Sequence, residues 1–111
     1  MPLNPYLAST LDSASSFAER ADAVNLAINA KNAAAQVQNV RAYVVMTDEL
    51  EELFREAIKA CRDLACVGTI DAMAEAKAEV VAAVDRLRSP LDRAEPNERA
   101  KAIGMDWWPD R

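Results

Sequence analysis

Histidine is absent from the 111 residues of this chain, and glycine occurs only twice, at Gly68 and Gly104. Without histidine, the chain lacks the commonest general base, the usual zinc ligand and any Ser–His or Cys–His nucleophile pair. Two isolated glycines form neither a phosphate-binding loop nor a dinucleotide-binding fingerprint. Carboxylates acting as acid–base pairs are the remaining route to catalysis. We therefore expect a nonenzymatic protein with no metal and no cofactor.

Aromatic residues are also scarce, at 5% of the chain, so the core has to be built from Ala, Val, Leu and Ile. A chain rich in Ala and poor in both Gly and aromatics is usually all-α. The net charge of −5 disfavours direct binding of nucleic-acid phosphates and of anionic membrane surfaces. A length of 111 residues favours a single domain over 1–111.

Long apolar runs are missing too, so we expect no membrane span. The first five residues lack the basic region and the apolar run of a secretory signal. Cys61 and Cys66 lie five residues apart on a predicted helix, where they would point about 140° apart and could not pair with each other. Free thiols of this kind are typical of a reducing compartment, and we expect a cytoplasmic protein.

The stretch 23–46 carries only two charges, Lys31 and Arg41. A helix this poor in charge needs to be covered on most of its sides. We predict that it belongs to a long helix A over about 16–46, which begins at a capping box formed by Ser16 and Glu19.

The start of helix A has an alternative. Asn4 is a good N-cap residue, and Pro5 would then occupy the first helical position, where its missing N–H group costs nothing. Helix A would in that case begin at residue 5. Its end near Met46 leaves only about two residues before the next helix, so the two helices should be antiparallel neighbours.

Three further helices are predicted after residue 46. They are helix B over 49–67, helix C over 70–88 and a short helix D over 96–103, followed by a tail over 104–111. Asp48 is the expected N-cap of helix B, whose acidic first turn suits the helix dipole. A break at Gly68 and Thr69 separates B from C, because one continuous helix would rotate its apolar face by about 150° there.

These elements predict an all-α fold: an antiparallel three-helix bundle with one long central helix and a short C-terminal helix. Because helix A is long and nearly uncharged, we expect a homodimer in which helix A, or A together with C, packs across a two-fold axis.

A row of side-chain amides follows one side of helix A at helical spacing. Its members are Asn25, Asn29, Asn32, Gln36 and Asn39. Three interpretations are open: a solvent-facing stripe, a polar seam that fixes the register of a helix–helix interface, or a hydrogen-bonding surface for an extended peptide or a nucleic-acid edge. The opposite side carries a stripe of small residues that would allow close helix approach, formed by Ala23, Ala27, Ala30 and Ala34. Both stripes are candidate oligomer interfaces.

Two acidic ridges are the next candidates. One follows helix B with Asp48, Glu49, Glu52 and Glu56, and the other follows helix C with Asp71, Glu75 and Glu79. A solvated face is the plain interpretation. The functional one is a surface that imitates nucleic-acid phosphates and competes for a basic groove on a partner protein. Glu49, Glu52 and Glu56 are therefore candidate partner-binding residues.

The tail supplies the last candidates, Trp107 and Trp108, in a chain otherwise poor in aromatics. The tail either folds back and caps the end of the bundle or serves as a docking anchor, since Trp is enriched at binding hot spots.

No motif in the sequence identifies a family, and a helical bundle by itself implies no function. The leading hypothesis is a protein-interaction module, such as an adaptor, an inhibitor or a regulatory subunit, which acts through a helical face and the Trp-containing tail. One alternative is an inhibitor from a phage or mobile element that blocks a nucleic-acid-handling host enzyme, such as a CRISPR or restriction nuclease, with an acidic surface. The other is a self-assembling structural protein.

Overall fold

The computed structural model describes residues 4–104, which form five helices and no strand. The helices are α1 (Pro5–Glu19), α2 (Leu26–Arg41), α3 (Asp48–Ala65), α4 (Ile70–Asp92) and α5 (Glu98–Ala102). The prediction of an all-α fold is therefore confirmed.

The first helix begins where the alternative prediction put it. Asn4 is fully buried, and its side-chain oxygen accepts hydrogen bonds from the backbone N–H groups of Tyr6 at 2.9 Å and Leu7 at 3.4 Å. Pro5 occupies the first helical position, where its fixed φ suits a helix start. Ser16, the competing start, lies inside α1 instead.

The prediction of one long helix A over 16–46 is wrong, because the chain turns between α1 and α2. The Asp22 carboxylate accepts hydrogen bonds from the backbone N–H groups of Val24 at 2.9 Å and Asn25 at 3.0 Å. In return, the Asn25 side-chain oxygen accepts one from the backbone N–H of Asp22 at 2.8 Å. Short polar side chains that bond to nearby backbone in this way compete with the helix and favour a turn.

The third helix has the acidic first turn that the sequence predicted, but Asp48 does not cap it. Thr47 is the N-cap, with extended backbone and a side-chain oxygen that accepts a hydrogen bond from Leu50 N–H at 3.2 Å. Asp48 is the first helical residue, where its negative charge still interacts favourably with the positive end of the helix dipole. The helix ends at Ala65, two residues before the predicted end.

The break before the fourth helix lies where the sequence predicted it, with Thr69 as N-cap accepting a hydrogen bond from Ala72 N–H at 3.1 Å. The predicted end at residue 88 is wrong, because α4 continues through Pro90 to Asp92. Pro90 removes one backbone donor from the last turn. Leu91 is fully buried, and its burial offsets that loss. The last helix, α5, is shorter than the predicted 96–103.

The four longer helices contact one another in a ring: α1 packs on α2, α2 on α3, α3 on α4, and α4 returns to α1. Lys77 of α4 donates to the Ala21 carbonyl at 2.9 Å, and Arg88 bonds to Asp12 at 2.6 Å, so α4 runs antiparallel to α1. The predicted three-helix bundle is thus replaced by four antiparallel helices, because the turn after α1 divides the expected long helix. The protein measures 47 × 23 × 20 Å.

The core is aliphatic, as the composition predicted, with Phe54 as its large side chain. Each of the four helices contributes a buried stripe, and on α1 and α2 many of its members are alanines. Small side chains let these two helices approach closely. Alanine also buries little apolar area, so each contributes less than a buried Leu or Val.

One asparagine joins two loops at the end of the bundle where α2 meets α3. The Asn97 side chain donates to the carbonyl oxygens of Ala42 at 2.8 Å and Val44 at 3.4 Å, and its oxygen accepts from Ala100 N–H at 3.0 Å. Beside it, the Val45 N–H donates to the Glu95 carbonyl at 2.8 Å. Asn97 therefore both starts α5 and holds the α4–α5 loop against the α2–α3 loop.

Replacing Asn97 with alanine should lower the free energy of unfolding by about 2 kcal/mol, because it removes a helix cap and leaves half-buried carbonyl oxygens without a donor. Urea denaturation followed by circular dichroism measures this change. Asn39→Ala, at an exposed position on α2, is the matched control and should change the free energy by less than about 0.5 kcal/mol. Equal effects of the two substitutions would contradict the role given to Asn97.

Candidate functional site

A long groove runs between α2 and α3. It consists of two adjoining cavities of about 540 Å³ and 230 Å³, which share Arg62 in their walls. The larger cavity is lined by Gln38, Arg41, Glu51, Arg55, Ile58, Lys59 and Arg62. The smaller cavity is lined by Ala27, Ala30, Lys31, Ala34, Cys61, Arg62 and Ala65. We call the two together the α2–α3 groove.

The floor of the α2–α3 groove is apolar and built from small side chains. Ala30 and Cys61 are each 1% exposed and close the bottom, while Ala27 and Ala65 are exposed at its edges. In the larger cavity the half-buried Ile58 continues this floor. Because alanines leave the backbones accessible, another element can approach this floor closely.

The rim of the α2–α3 groove is basic, although the whole chain carries a net charge of −5. Five cationic side chains line the groove: Lys31, Arg41, Arg55, Lys59 and Arg62. Glu51 is the one carboxylate in the lining of the two cavities, and it contacts Arg55 at 3.7 Å.

Three of these cations have no internal counter-ion. Lys31, Arg41 and Arg62 form no salt bridge with any other residue of the described range 4–104. Arg55 is paired with Glu52 at 2.8 Å, and Lys59 with Asp63 at 3.0 Å, but both are exposed pairs that exchange easily with solvent. The rim therefore offers positive charge that is not neutralised within the groove.

The sequence alone does not predict this groove, because the basic residues of α3 are interspersed with those of the acidic ridge. Their spacing carries a signal nonetheless. Arg55, Lys59 and Arg62 recur at intervals of four and three, which places them on one flank of α3. The acidic residues Glu52 and Glu56 occupy the flank toward α4. Only the packing of α2 against α3 shows that the basic flank borders an apolar floor.

The candidate partner-binding residues Glu49, Glu52 and Glu56 lie on the side of α3 that is turned toward α4. Glu49 contacts Arg93 at 3.8 Å, and Glu52 is paired with Arg55. Glu56 lines a third cavity of about 240 Å³ between α3 and α4, where acidic and basic side chains alternate. The ridge is thus interleaved with cations. On α4, Asp71, Glu75 and Glu79 are all exposed.

The amide row lies on the flank of α2 opposite the α2–α3 groove, the flank that the helical rotation turns toward α1. Asn25 precedes α2 in the α1–α2 turn, and Asn29, in the first turn of α2, donates from its side chain to the Arg20 carbonyl at 3.4 Å. Asn32 and Gln36 are half-buried, and Asn39 is exposed. The amides therefore border an intramolecular helix–helix seam.

The small-residue stripe is divided by the structure. Ala30 is buried and Ala34 is half-buried against α3, in the wall of the α2–α3 groove. Ala27 is exposed at the edge of the groove, and Ala23 precedes α2. The remaining candidates, Trp107 and Trp108, lie outside the described residues.

A second exposed surface lies at the end of the bundle where α1 meets α2 and α3 meets α4. A cavity of about 210 Å³ there is lined by Ala23, Leu26, Val67, Gly68, Thr69, Ile70 and Met73. Ile70 is 79% exposed, and Val24, which follows the lining residue Ala23 in the sequence, is 95% exposed. We call this surface the apolar end. Large apolar side chains exposed together are typical of an interaction surface.

Within residues 4–104, no cluster of three or more Cys, Asp or Glu side chains is arranged to hold a metal ion. None of the described helices combines the length and the apolar character that crossing a membrane requires. Comparisons of the chain with protein-family models, with curated proteins and with solved structures find no match.

The two thiols differ sharply in exposure. Cys61 is buried in the floor of the α2–α3 groove, and Cys66 is exposed at the end of α3. Burial raises the pKa of the Cys61 thiol to about 11. Because the neutral thiol is the form that the folded protein favours, its burial stabilises the fold below the ordinary thiol pKa of 9.0. That stabilisation is lost as the pH rises from there toward 11.

Between pH 8 and pH 11, the free energy of unfolding of the native chain should fall by up to about 2.5 kcal/mol more than that of a Cys61→Ala variant. Urea denaturation at a series of pH values measures the difference, and Cys66→Ala is the control that should behave like the native chain. Identical pH profiles of the native chain and Cys61→Ala would contradict the burial of this thiol.

Proposed function

We propose that this protein is a nonenzymatic protein-interaction module that binds a partner in the α2–α3 groove. The observation that supports the proposal is an apolar floor of small side chains beside cations that form no salt bridge within the described part of the chain. Interfaces of this type combine an apolar centre with a charged rim that orients the partner and speeds association. Arginine is also enriched at binding hot spots, and Arg41 and Arg62 flank the floor.

An acidic surface that imitates nucleic acid is a weaker candidate for the binding surface. Arg93, Arg55 and Arg86 lie among the carboxylates of the α3 ridge and reduce its negative potential. A steering surface needs charge of one sign over a broad area. Among the described residues, the α2–α3 groove comes closer to that condition, with five cations and one carboxylate in its lining.

Reversing two rim charges should abolish capture of the partner. The double variant Arg41→Glu with Arg62→Glu removes the unpaired guanidinium groups on both walls and leaves the floor unchanged. Tagged native protein and the variant are compared in pull-downs from a cell lysate, with bound proteins quantified by mass spectrometry. We expect the specific partner to be depleted from the variant by at least roughly tenfold.

The matched control is Arg86→Glu with Arg99→Glu, which makes the same change in net charge outside the α2–α3 groove. It should retain the partner. Circular dichroism should show the same helix content in all three proteins. Equal loss in both double variants, or retention in the groove variant, would contradict the assignment of the binding surface to the α2–α3 groove.

The apolar end supports a second proposal, that the chain forms a homodimer through this surface. Val24 and Ile70 expose most of their surface to solvent, and the cavity beside them is lined by Leu26 and Met73. A two-fold dimer would cover the same patch on both copies. In this arrangement the contact involves the helix ends, in contrast to the expectation that helix A, or A together with C, packs across the two-fold axis.

Ile70→Lys should shift the protein from dimer to monomer, because it places a charge at the centre of the covered patch. Sedimentation velocity over a range of concentrations measures the change. Ile103→Lys, at the C-cap of α5 where the side chain is 59% exposed, is the control and should sediment like the native chain. A native chain that sediments as a monomer at every concentration would overturn the dimer.

We also propose a cytoplasmic location. Cys66 is an exposed free thiol, and Cys61 is a free thiol in the core. Both states are stable where cellular reductants keep cysteines reduced. In an oxidising compartment, the exposed Cys66 would readily form intermolecular disulfides.

A further inference from the structure

We infer that the α2–α3 groove accepts an acidic amphipathic helix, with its apolar face on the alanine floor and its carboxylates against the basic rim. This inference rests on the proposed function, since it names the partner chemistry of the same groove. The dimensions of the groove, the nature of its floor and the distribution of its charges each favour this occupant.

The dimensions fit a helix. The walls extend on α2 from Ala27 to Arg41 and on α3 from Glu51 to Ala65, in antiparallel order. At 1.5 Å per residue, fourteen residue steps span about 21 Å, which corresponds to roughly four turns of a bound helix. Two neighbouring helices leave between them a channel that a third helix can enter, as in other helix-in-groove complexes.

The floor favours an apolar helix face. Five of the seven residues that line the smaller cavity are apolar, namely four alanines and Cys61. Small residues allow the axes of packed helices to approach to the lower end of the usual 8–10 Å range. Ile58 lies in the larger cavity, where an aliphatic side chain of the occupant can cover it.

The charges select an acidic occupant. Lys31 and Arg41 stand on the α2 wall, and Arg55 and Arg62 stand on the α3 wall, so cations border the floor on both sides. An occupant with carboxylates on both flanks of its apolar face meets a cation on each side. Arginine is well suited to this task because its guanidinium group binds a carboxylate in bidentate geometry.

Nucleic acid fits the same groove less well. The lining contains no aromatic side chain on which a base could stack. The remainder of the described surface carries the acidic residues that give the whole chain its charge of −5, and they repel a long polyanion. A short acidic helix remains within the groove and avoids them.

The test uses a labelled probe helix of about 16 residues, with Leu on one face, Glu on both flanks and a side-chain crosslink on the outer face, because short helices are marginal in water. Fluorescence anisotropy with the full-length protein should give a Kd below about 100 μM that weakens with added salt. A probe with Lys in place of every Glu should bind at least roughly tenfold more weakly.

One single variant tests the floor, and one double variant tests the rim. Ala27→Trp places a bulky side chain at the edge of the floor and should block the acidic probe. Ala35→Trp, at an exposed position on the solvent side of α2, is the matched control and should bind normally. Arg41→Glu with Arg62→Glu should weaken binding of the acidic probe by at least roughly tenfold and should reverse the preference toward the Lys probe.

Several outcomes would overturn the inference. These are no binding of the acidic probe by the folded protein, equal binding of both probes, or equal effects of Ala27→Trp and Ala35→Trp. Tighter binding of a short DNA duplex, lost in the same rim variant, would assign the groove to nucleic acid instead.

If the rim variant loses its partner in pull-downs while the acidic probe fails to bind, the proposed function stands and only the chemistry of the occupant is wrong. A rim variant that retains its partner but loses the probe would contradict the proposed function.

Discussion

The turn between α1 and α2 determines the arrangement of all the other helices. Asp22 and Asn25 exchange two hydrogen bonds between side chain and backbone, and the Asp22 carboxylate accepts a third from Val24 N–H. These bonds interrupt what would otherwise be a continuous helical stretch. Because of this turn, α1 folds back along α2 and covers part of its surface. A continuous helix over 16–46 would have left that surface without an intramolecular partner. The same turn also presents Val24 to solvent at the apolar end.

Because α1 covers one side of α2, only the remaining sides of α2 are open to other elements. The buried alanines and valines of α2 face the core, and α1 borders the amide row. The flank that meets α3 is only partly filled, because Ala30 and Ala34 are too small to close the space between two helices. The smaller cavity of the groove is therefore a result of alanine at these positions, and leucine side chains there would fill it.

Much of the fold follows from local signals in the sequence. The cap at Asn4, the break at Gly68 and Thr69 and the amphipathic pattern of α3 each depend on residues within one or two turns. The turn at Asp22 could not be predicted, because Asp22 and Asn25 also fit the surface of a helix. Their reciprocal hydrogen bonds form only where the chain bends. The α2–α3 groove was missed for a different reason. Its basic rim is assembled from two helices, and no single helix shows a net positive face beside an apolar floor.

The ring of helices has a consequence for how the chain folds. Three of its four helix–helix contacts join neighbours along the chain, so most of the core assembles from segments that are close in sequence. The contact between α1 and α4 is the exception, and the bonds that mark it join residues 56 and 76 positions apart. Folding rates of small proteins rise as contacts become more local. Hairpins of adjacent helices can therefore form early, and docking of α4 on α1 is the step that closes the loop of greatest entropic cost.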